Sequence, residues 1–261
     1  MPIITLTTDF GNGSSYVAAM KGVILSINPS ATIVDISHAV PPQDISRGAL
    51  VLEDTTPWFP HDTIHVAVVD PGVGTSRAII YARIATQQYV APDNGLLGRL
   101  MARTPPTMVL QLTEREHWLA EVSSTFHGRD IMAPVAARLS LGLDPRRLGL
   151  PVGHLERLDL PRPLIVDEKV RGQVISIDSF GNLITNITHD LLAGRPNDSR
   201  ACVVCGIFET YGIYRAYGEQ AEGMLVALIG SSHRLELAIV GDNAAARLGV
   251  SIGTPVVVAW E

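Results

Sequence analysis

The run 68–77 contains the residues of this chain best placed to do chemistry. A β-branched apolar segment ends at Asp70, a Pro-Gly turn follows, and Arg77 returns a cation a few positions later. This pattern is typical of a buried parallel strand that ends in a loop, and ligands of open α/β sheets bind beyond such strand ends. Asp70 and Arg77 are therefore candidates for an active-site ion pair. A turn aspartate that pairs with a surface arginine is the structural alternative.

Three more polar positions stand at predicted ends of strands or starts of helices. Asp9 follows the first predicted strand, Asp93 and Asn94 follow a later one, and His127 lies in a loop just before a predicted helix. In a parallel sheet these positions would share one edge. Asp9 could accept hydrogen bonds from both hydroxyls of a ribose, although it could equally cap the next helix. His127, together with Asp70 and Arg77, could activate water by general-base catalysis.

Other kinds of chemistry have weaker support. The glycine pattern 11–16 lacks the third glycine of a dinucleotide-binding loop, and the chain has neither a phosphate-binding Gly-Lys-Ser/Thr motif nor a serine nucleophile elbow. We interpret Cys202 and Cys205 as reduced thiols on a strand, because no second pair of zinc ligands has suitable spacing. The remaining histidines are interpreted as surface or core residues: His38, His61, His65, His117, His154, His189 and His233.

Composition limits the class of protein. The chain has 261 residues, of which 46% are hydrophobic and 18% charged, and its formal net charge is −6. No run of Lys or Arg indicates a nucleic-acid partner, and no apolar run is long enough to span a membrane. The N-terminus lacks the basic and apolar regions of a signal peptide. We therefore expect a cytoplasmic protein with a large core and a small-molecule ligand.

Strand-like and helix-like segments alternate through the first part of the chain. Such alternation predicts an α/β domain, over residues 1–160, with a mostly parallel sheet between helices. The predicted strands are 3–8, 32–36, 63–69, 78–83 and 88–91, and the predicted helices are 16–27, 43–58, 96–103 and 127–141.

The pattern changes after a proline-rich connection at 142–165. Short period-two segments follow, which predict a small all-β domain, an antiparallel barrel, over residues 161–261. The predicted strands are 170–178, 183–187, 200–207, 224–229, 234–240 and 254–260, and one short helix is predicted at 242–248.

Several motifs, taken in order, resemble those of the S-adenosylmethionine hydroxide adenosyltransferase family, which is related to the S-adenosylmethionine-dependent fluorinase and chlorinase. The resemblance runs from the first strand to the end of the chain. The motifs are Thr7-Thr8-Asp9-Phe10-Gly11, the run 69–77, Ala91-Pro92-Asp93-Asn94-Gly95, Thr125-Phe126-His127-Gly128-Arg129-Asp130, Asp178-Ser179-Phe180-Gly181-Asn182 with Thr185-Asn186, and Gly230-Ser231-Ser232 with 235–238 and Asn243-Ala244.

The resemblance implies both an architecture and an activity. It implies an N-terminal α/β domain, a C-terminal β-barrel and a homotrimer whose sites lie between one subunit's first domain and its neighbour's second domain. The implied reaction is hydrolysis of S-adenosyl-L-methionine to adenosine and L-methionine, by in-line attack of activated water on C5′. S-adenosylmethionine is then the substrate, and neither a metal nor another cofactor is implied.

The resemblance also implies roles for individual residues. Asp70, Arg77 and His127 match the water-activating triad, and Asp9 matches the aspartate that binds the ribose. A second set matches substrate contacts: Phe180 and Asn182 at the adenine, Asp178 and Ser232 at the ends of the methionine, and Asn243 and Ala244 elsewhere on the substrate. The halogenase branch has an arginine after the matching serine, whereas this chain has His233, so the contact to the methionine carboxylate stays open.

Three alternatives also stay open. A metal-dependent hydrolase could use Asp9, Asp70, Asp93 and His127 as ligands, although Arg77 beside them argues against this. A nucleoside-binding module would not need a reactive triad. A halogenase would use the same fold, but that branch has an uncharged aromatic residue at the position of Asp70 and Tyr-Ser at the position of His127-Gly128. We expect a carboxylate at that place to disfavour halide.

Overall fold

The chain forms two compact units in a computed structural model that describes residues 3–260. The first unit ends at Asp159 and the second begins at Leu160. The first unit contains β1 (Ile3–Thr8), α1 (Ser15–Ile27), β2 (Thr32–Ser37), α2 (Ile45–Thr55), β3 (Ile64–Val68), β4 (Ile79–Ile84), β5 (Gln87–Pro92), α3 (Gly98–Arg103), β6 (Pro106–Leu112), α4 (Ala133–Ser140) and β7 (Gly149–Pro151).

The first unit is built around a mixed seven-stranded sheet of order β2-β1-β3-β5-β4-β6-β7. The pairings among β2, β1, β3 and β5 are parallel, whereas those that join β5, β4, β6 and β7 are antiparallel. The expectation of a mostly parallel sheet is therefore correct for only half of the pairings. The reason is local: β4 and β5 are joined by Ala85 and Thr86 alone, with Ala85 at φ +50°, and so short a turn can join only antiparallel strands.

Both faces of the sheet are covered, as the continuous apolar run in β3 predicts. Val66 and Val68 join the core beneath α1 and α4, while Ala67 and Val69 join the core beneath α2 and α3. Side chains of a strand alternate between faces, so a strand that is buried on both sides needs apolar residues at every position. Asp70 is the first residue after this buried run.

Two of the differences between predicted and observed helices concern the neighbourhood of the candidate residues. The α2 helix begins at Ile45 rather than at residue 43, because the side chain of Asp44 caps it by accepting a hydrogen bond from the Arg47 amide. The predicted helix at 127–141 consists of a π-helical turn, Gly128–Met132, followed by α4. The π turn directly follows His127, and such turns are frequent at functional sites.

Up to residue 260, the second unit is all-β apart from two short α-helices and a 3₁₀ turn at Tyr217–Glu219. Its elements are β8 (Leu164–Val166), β9 (Lys169–Ile177), β10 (Leu183–Thr188), α5 (His189–Leu192), β11 (Ala201–Cys205), β12 (Phe208–Tyr211), β13 (Ile213–Tyr214), β14 (Leu225–Ile229), β15 (Arg234–Ile239), α6 (Ala244–Leu248) and β16 (Pro255–Trp260). The strands form a nearly closed, barrel-like sheet, and all its pairings except β13–β14 are antiparallel. Cys202 and Cys205 lie on β11.

Over residues 3–260 the chain contains no helix with both the length and the apolar character that crossing a membrane requires.

A buried histidine lies inside the sheet of the first unit. His65 on β3 is fully buried, its Nδ1 lies 2.7 Å from the hydroxyl of Thr5, and its ring stacks on Tyr89. Burial lowers the pKa of His65 to about 3 from its ordinary value of 6.5. At a pH between these two values, His65 is protonated in the unfolded chain but neutral in the folded chain. The contribution of His65 to stability is therefore complete above pH 6.5 and is lost as the pH falls towards 3.

We expect His65→Gln to flatten the dependence of stability on pH in this window. Between pH 6.5 and about pH 4, the wild type should lose on the order of 3 kcal/mol more free energy of unfolding than His65→Gln does. Urea unfolding curves across this pH range measure the difference. The exposed His61 supplies the control, since His61→Gln should follow the wild type. Parallel curves for wild type and His65→Gln would show that His65 titrates normally in the fold.

Candidate active site

Three parallel strands of the first unit end in carboxylates at one edge of the sheet. Asp9 follows β1, Asp70 lies just after β3, and Asp93 follows β5. The Asn94 side chain then donates a hydrogen bond of 2.9 Å to the carbonyl of Val69. This bond ties the loop after β5 to the residue directly before Asp70, so the sheet edge itself holds the start of that loop in place.

Asp70 and Arg77 form a buried ion pair. Arg77 Nε lies 2.9 Å from each carboxylate oxygen of Asp70, and Arg77 Nη2 donates to Oδ2 as well. The side chains are only 4% and 10% exposed, respectively. Charge-assisted bonds of this kind are about twice as strong as neutral ones, and their fixed geometry makes the pair a rigid unit.

The same guanidinium also binds His127. Arg77 Nη2 lies 2.9 Å from His127 Nδ1. An arginine has only donors, so Nδ1 is the acceptor, and the proton of the neutral imidazole must then be on Nε2. Burial lowers the pKa of His127, and the charge of Arg77 lowers it further, while Asp70 and Asp130 partly offset the effect. At neutral pH the ring is therefore neutral, with Nε2–H as its free donor.

The contact between Arg77 and His127 requires the loop after β3 to approach the loop before His127. Gly74 makes this close approach possible. Gly74 has φ +79°, and a Cβ placed on it would lie 2.3 Å from the carbonyl oxygen of Ser124. Only glycine fits such a position. On the other side, the buried carboxylate of Asp130 accepts a 2.9 Å hydrogen bond from the Ser123 amide. The segment before His127 is thus held at both ends.

An aromatic cluster links this loop to the start of α1. The ring of Phe126 lies 5.8 Å from Phe10 and 5.0 Å from Tyr16, both in edge-to-face geometry. Phe10 directly follows Asp9, and Phe126 directly precedes His127. The cluster therefore holds the Asp9 loop beside the loop of the triad. The sequence indicates no role for Tyr16 or Phe126, because ring contacts between distant segments leave no local pattern.

Asp9 is held by backbone groups and by a histidine that the sequence left without a role. Asp9 Oδ2 accepts a 2.7 Å hydrogen bond from the Gln43 amide, for which Gln43 adopts φ +65°. His38 Nδ1 lies 2.9 Å from the hydroxyl of Thr8, and the His38 carbonyl accepts 2.8 Å from the amide of Gly11. His38 thus contacts the chain on both sides of Asp9.

Asp93 has a different environment from the triad. Its Oδ1 accepts 3.0 Å from the Glu156 amide, and burial raises its pKa. Across residues 3–260, no three side chains of His, Cys, Asp or Glu converge as the ligands of a metal ion would. A metal site made of Asp9, Asp70, Asp93 and His127 therefore has no support from their positions.

In the second unit, the candidates after β9 form one tight turn. Asp178 Oδ1 accepts from the amides of Phe180 and Asn182, and its Oδ2 accepts from Asn182 Nδ2, all at 2.9 Å. Asn182 is buried, whereas Phe180 is 75% exposed. The turn therefore presents an aromatic face outward and holds an amide side chain in a fixed orientation.

The start of α6 packs against that turn. The Ala245 amide donates 2.9 Å to the Gly181 carbonyl, and Asn243 caps the helix by accepting from the Ala246 amide at 2.8 Å. Ala244 is fully buried beside them. Ser232 lies in the turn between β14 and β15, where His233 adopts φ +58°. The turn after β9 and the start of α6 thus bring Asp178, Phe180, Asn182, Asn243 and Ala244 together.

Comparison with known proteins identifies the family of this chain. The SAM hydroxide adenosyltransferase N-terminal domain matches residues 4–149, and the C-terminal domain of that family matches residues 172–257. A protein of Salinispora tropica named (R)-S-adenosyl-L-methionine hydrolase is 38% identical over 97% of this chain and 95% of its own. One of the same name from Thermus thermophilus is 38% identical over 95% and 96%.

More distant and structural relatives agree with this match. A fluorinase of an Actinoplanes species is 30% identical, over 71% of this chain and 72% of its own. A crystal structure of an uncharacterized conserved protein from Thermotoga maritima superposes with a TM-score of 0.93 at 37% identity, covering 98% of this chain and all of that one. The match to the two hydrolases thus extends over nearly the whole chain, and the match to the fluorinase does not.

We expect His38 to act on a bound ribose through Asp9. His38→Gln should weaken binding of adenosine about tenfold, because the Asp9 loop loses an anchor, and should leave binding of 2′,3′-dideoxyadenosine unchanged. Added to Asp9→Asn, it should cause no further loss, as expected for residues that act as one unit. Isothermal titration calorimetry measures the affinity of each single variant and of the double variant for both nucleosides.

The exposed His189 supplies the control for this experiment, since His189→Gln should bind both nucleosides as the wild type does. Equal weakening for adenosine and its dideoxy analogue would show a general loss of structure instead.

Proposed function

Because the chain belongs to the SAM hydroxide adenosyltransferase family, we propose that it hydrolyses S-adenosyl-L-methionine to adenosine and L-methionine. The observation that carries the proposal is the rigid contact of Asp70, Arg77 and His127 at the edge of the sheet. The relatives of nearly full-length similarity that are named as hydrolases support the same reaction.

In this reaction, water displaces a thioether. The oxygen of water forms a bond to C5′, and the C5′–S bond breaks with its electron pair going to sulfur. The sulfonium thereby becomes neutral methionine thioether, and the protonated 5′-hydroxyl releases its proton to solvent. The leaving group needs no general acid. The protein must instead hold the water in line with the C5′–S bond, which is the orientation term of catalysis.

The triad can hold a water molecule from two sides. The Nε2–H of His127 is free to donate to the water oxygen, and the carboxylate of Asp70 keeps lone pairs that can accept from a water proton. A water bound in this way has a lone pair left to point at C5′. We expected His127 to be a general base, but its lone pair at Nδ1 faces Arg77. We therefore assign His127 the role of hydrogen-bond donor.

The remaining contacts are proposed from the family resemblance. Asp9 would bind the ribose hydroxyls, Phe180 would stack on the adenine, and Asn182 would hydrogen-bond to it. Asp178 and Ser232 would take the methionine ends, and Asn243 and Ala244 would complete the substrate contacts. Because Phe180 is 75% exposed, its ring face is accessible for stacking on the adenine. We also propose a homotrimer in which the second unit of a neighbouring subunit completes each site.

Halide transfer is the alternative within this family, and two observations disfavour it. The fluorinase match covers less of the chain, at lower identity, than the hydrolase matches. The chemistry points the same way, because a halide has no proton to donate to Asp70. A carboxylate acceptor beside the nucleophile therefore suits water and offers nothing to an anion, even though Arg77 balances its charge.

We expect purified protein and S-adenosylmethionine to give adenosine and L-methionine in equal amounts. In ¹⁸O-labelled water the label should enter the 5′-hydroxyl of adenosine, since water attacks C5′. Liquid chromatography with mass spectrometry measures products and label together. Added fluoride or chloride should yield no 5′-halo-5′-deoxyadenosine. S-adenosylhomocysteine as the product would make the protein a methyltransferase and end this proposal.

The donor role of His127 makes a separate prediction. His127→Gln keeps an N–H donor but no base, so it should retain turnover within about tenfold of wild type, whereas His127→Ala should lose about 10²-fold or more. The ¹⁵N shifts of the imidazole should show the Nε2–H form at neutral pH. Equal inactivity of the two variants, both still binding adenosine, would instead make His127 the base.

A further inference from the structure

A pocket of about 450 Å³ lies within the first unit, and two residues of the triad, Arg77 and His127, form part of its wall. Its size falls in the range of small-molecule sites. Neither Asp9 nor any second-unit residue that we assign to the substrate lines it. The polar and aromatic part of its lining consists of Arg77, Gln111, Arg115, Trp118 and His127.

The charge of the lining is positive. It contains two guanidinium groups and an imidazole but no carboxylate. The charge of Arg77 is balanced by Asp70, whereas Arg115 has no Asp or Glu within ion-pair distance among residues 3–260. Arg115 therefore offers the pocket a guanidinium that no carboxylate of the described residues pairs with, and such a group favours an anion over a cation as its partner.

The position of Arg115 suits recognition of a carboxylate. Its guanidinium lies over the ring of Trp118, 5.6 Å from the ring centroid. Stacking on an aromatic ring holds the planar group by its face and leaves its edge free, and that edge matches the two oxygens of a carboxylate. Arg115 and Gln111 are exposed, so they mark the open side of the pocket.

The inner part of the pocket is apolar apart from the triad. Ile79, Leu112 and Ile131 are buried or nearly so and offer only aliphatic surface. At the inner end, Arg77 is nine-tenths buried, and its Nη1 makes no hydrogen bond within the described part of the chain. A ligand with an aliphatic chain could bury it along these walls.

From these features we propose that the pocket binds a small aliphatic monocarboxylate, with its carboxylate on Arg115 and its chain running towards Arg77 and His127. An amine is disfavoured because no carboxylate is present to take an ammonium group. A bound chain would fill the space beside Arg77 and His127, so the ligand should lower turnover. The expected loss of turnover rests on the proposed function, whereas the binding of the carboxylate does not.

Hexanoate serves as the probe, with hexanol and hexylammonium as probes of the same length. The reporter is the indole N–H signal of Trp118 in ¹H–¹⁵N spectra, assigned through Trp118→Phe. Hexanoate should shift that signal in a saturable way, and the other two compounds should shift it much less. Arg115→Gln should weaken hexanoate binding about tenfold, the usual loss for one charge-assisted hydrogen bond. Arg146→Gln, at an arginine that is 75% exposed and outside the pocket, should bind as wild type does.

An unmoved Trp118 signal, an equal response to hexanol, or equal binding by Arg115→Gln would each overturn the proposal. The activity arm adds hexanoate to the hydrolysis assay, where it should inhibit wild type at about tenfold lower concentration than Arg115→Gln. Absence of hydrolysis in the wild type without hexanoate would refute the proposed function alone, since the spectra still decide whether the pocket binds a carboxylate.

Discussion

The guanidinium of Arg77 is the group on which the candidate site depends. One planar cation donates to Asp70 with Nε and Nη2 and to His127 with Nη2, so it fixes a carboxylate and an imidazole with respect to each other. Because arginine cannot accept a hydrogen bond, it also decides which imidazole nitrogen carries the proton. Lysine could not replace it, since a single ammonium lacks the fork that spans both partners. Gly74 allows the two loops to approach each other closely, and the buried Asp130 holds the loop before His127 through the Ser123 amide.

The central strands β1, β3, β4 and β5 could be predicted because they are buried over nearly all of their length. Burial of that kind requires an uninterrupted apolar run, as at 64–69, and such a run can be read locally. The direction of β4 could not be read, because it depends on a two-residue turn at Ala85. The strand β6, of which only part is buried, was not predicted. A pattern of apolar residues indicates which strands are buried, but it does not show which strands pair or in which direction they run.

In the candidate site, too, some residues could be predicted from the sequence and others could not. Asp70, Arg77 and His127 could be singled out because each follows or precedes a recognisable element, and the structure places them in contact. His38 and Gln43 could not, because each acts on the Asp9 loop from a distant segment, His38 through its ring nitrogen and carbonyl and Gln43 through its amide. A contact made by a main-chain group is almost independent of residue type. The sequence therefore predicts reacting side chains better than it predicts the groups that hold them.

The ion pair also bears on where positive charge lies during the proposed reaction. The substrate's sulfonium is positive before the C5′–S bond breaks, and that charge passes to the attacking oxygen as the neutral thioether leaves. A bare carboxylate near C5′ would also stabilise the sulfonium in the ground state, and catalysis gains only from the part of an interaction that strengthens in the transition state. Pairing with Arg77 removes most of that net charge from Asp70 and leaves its lone pairs in place. Asp70 can then orient water as an acceptor without holding the substrate back as an anion. On this view the buried pair is a way to have a carboxylate's geometry at the reacting carbon without its charge.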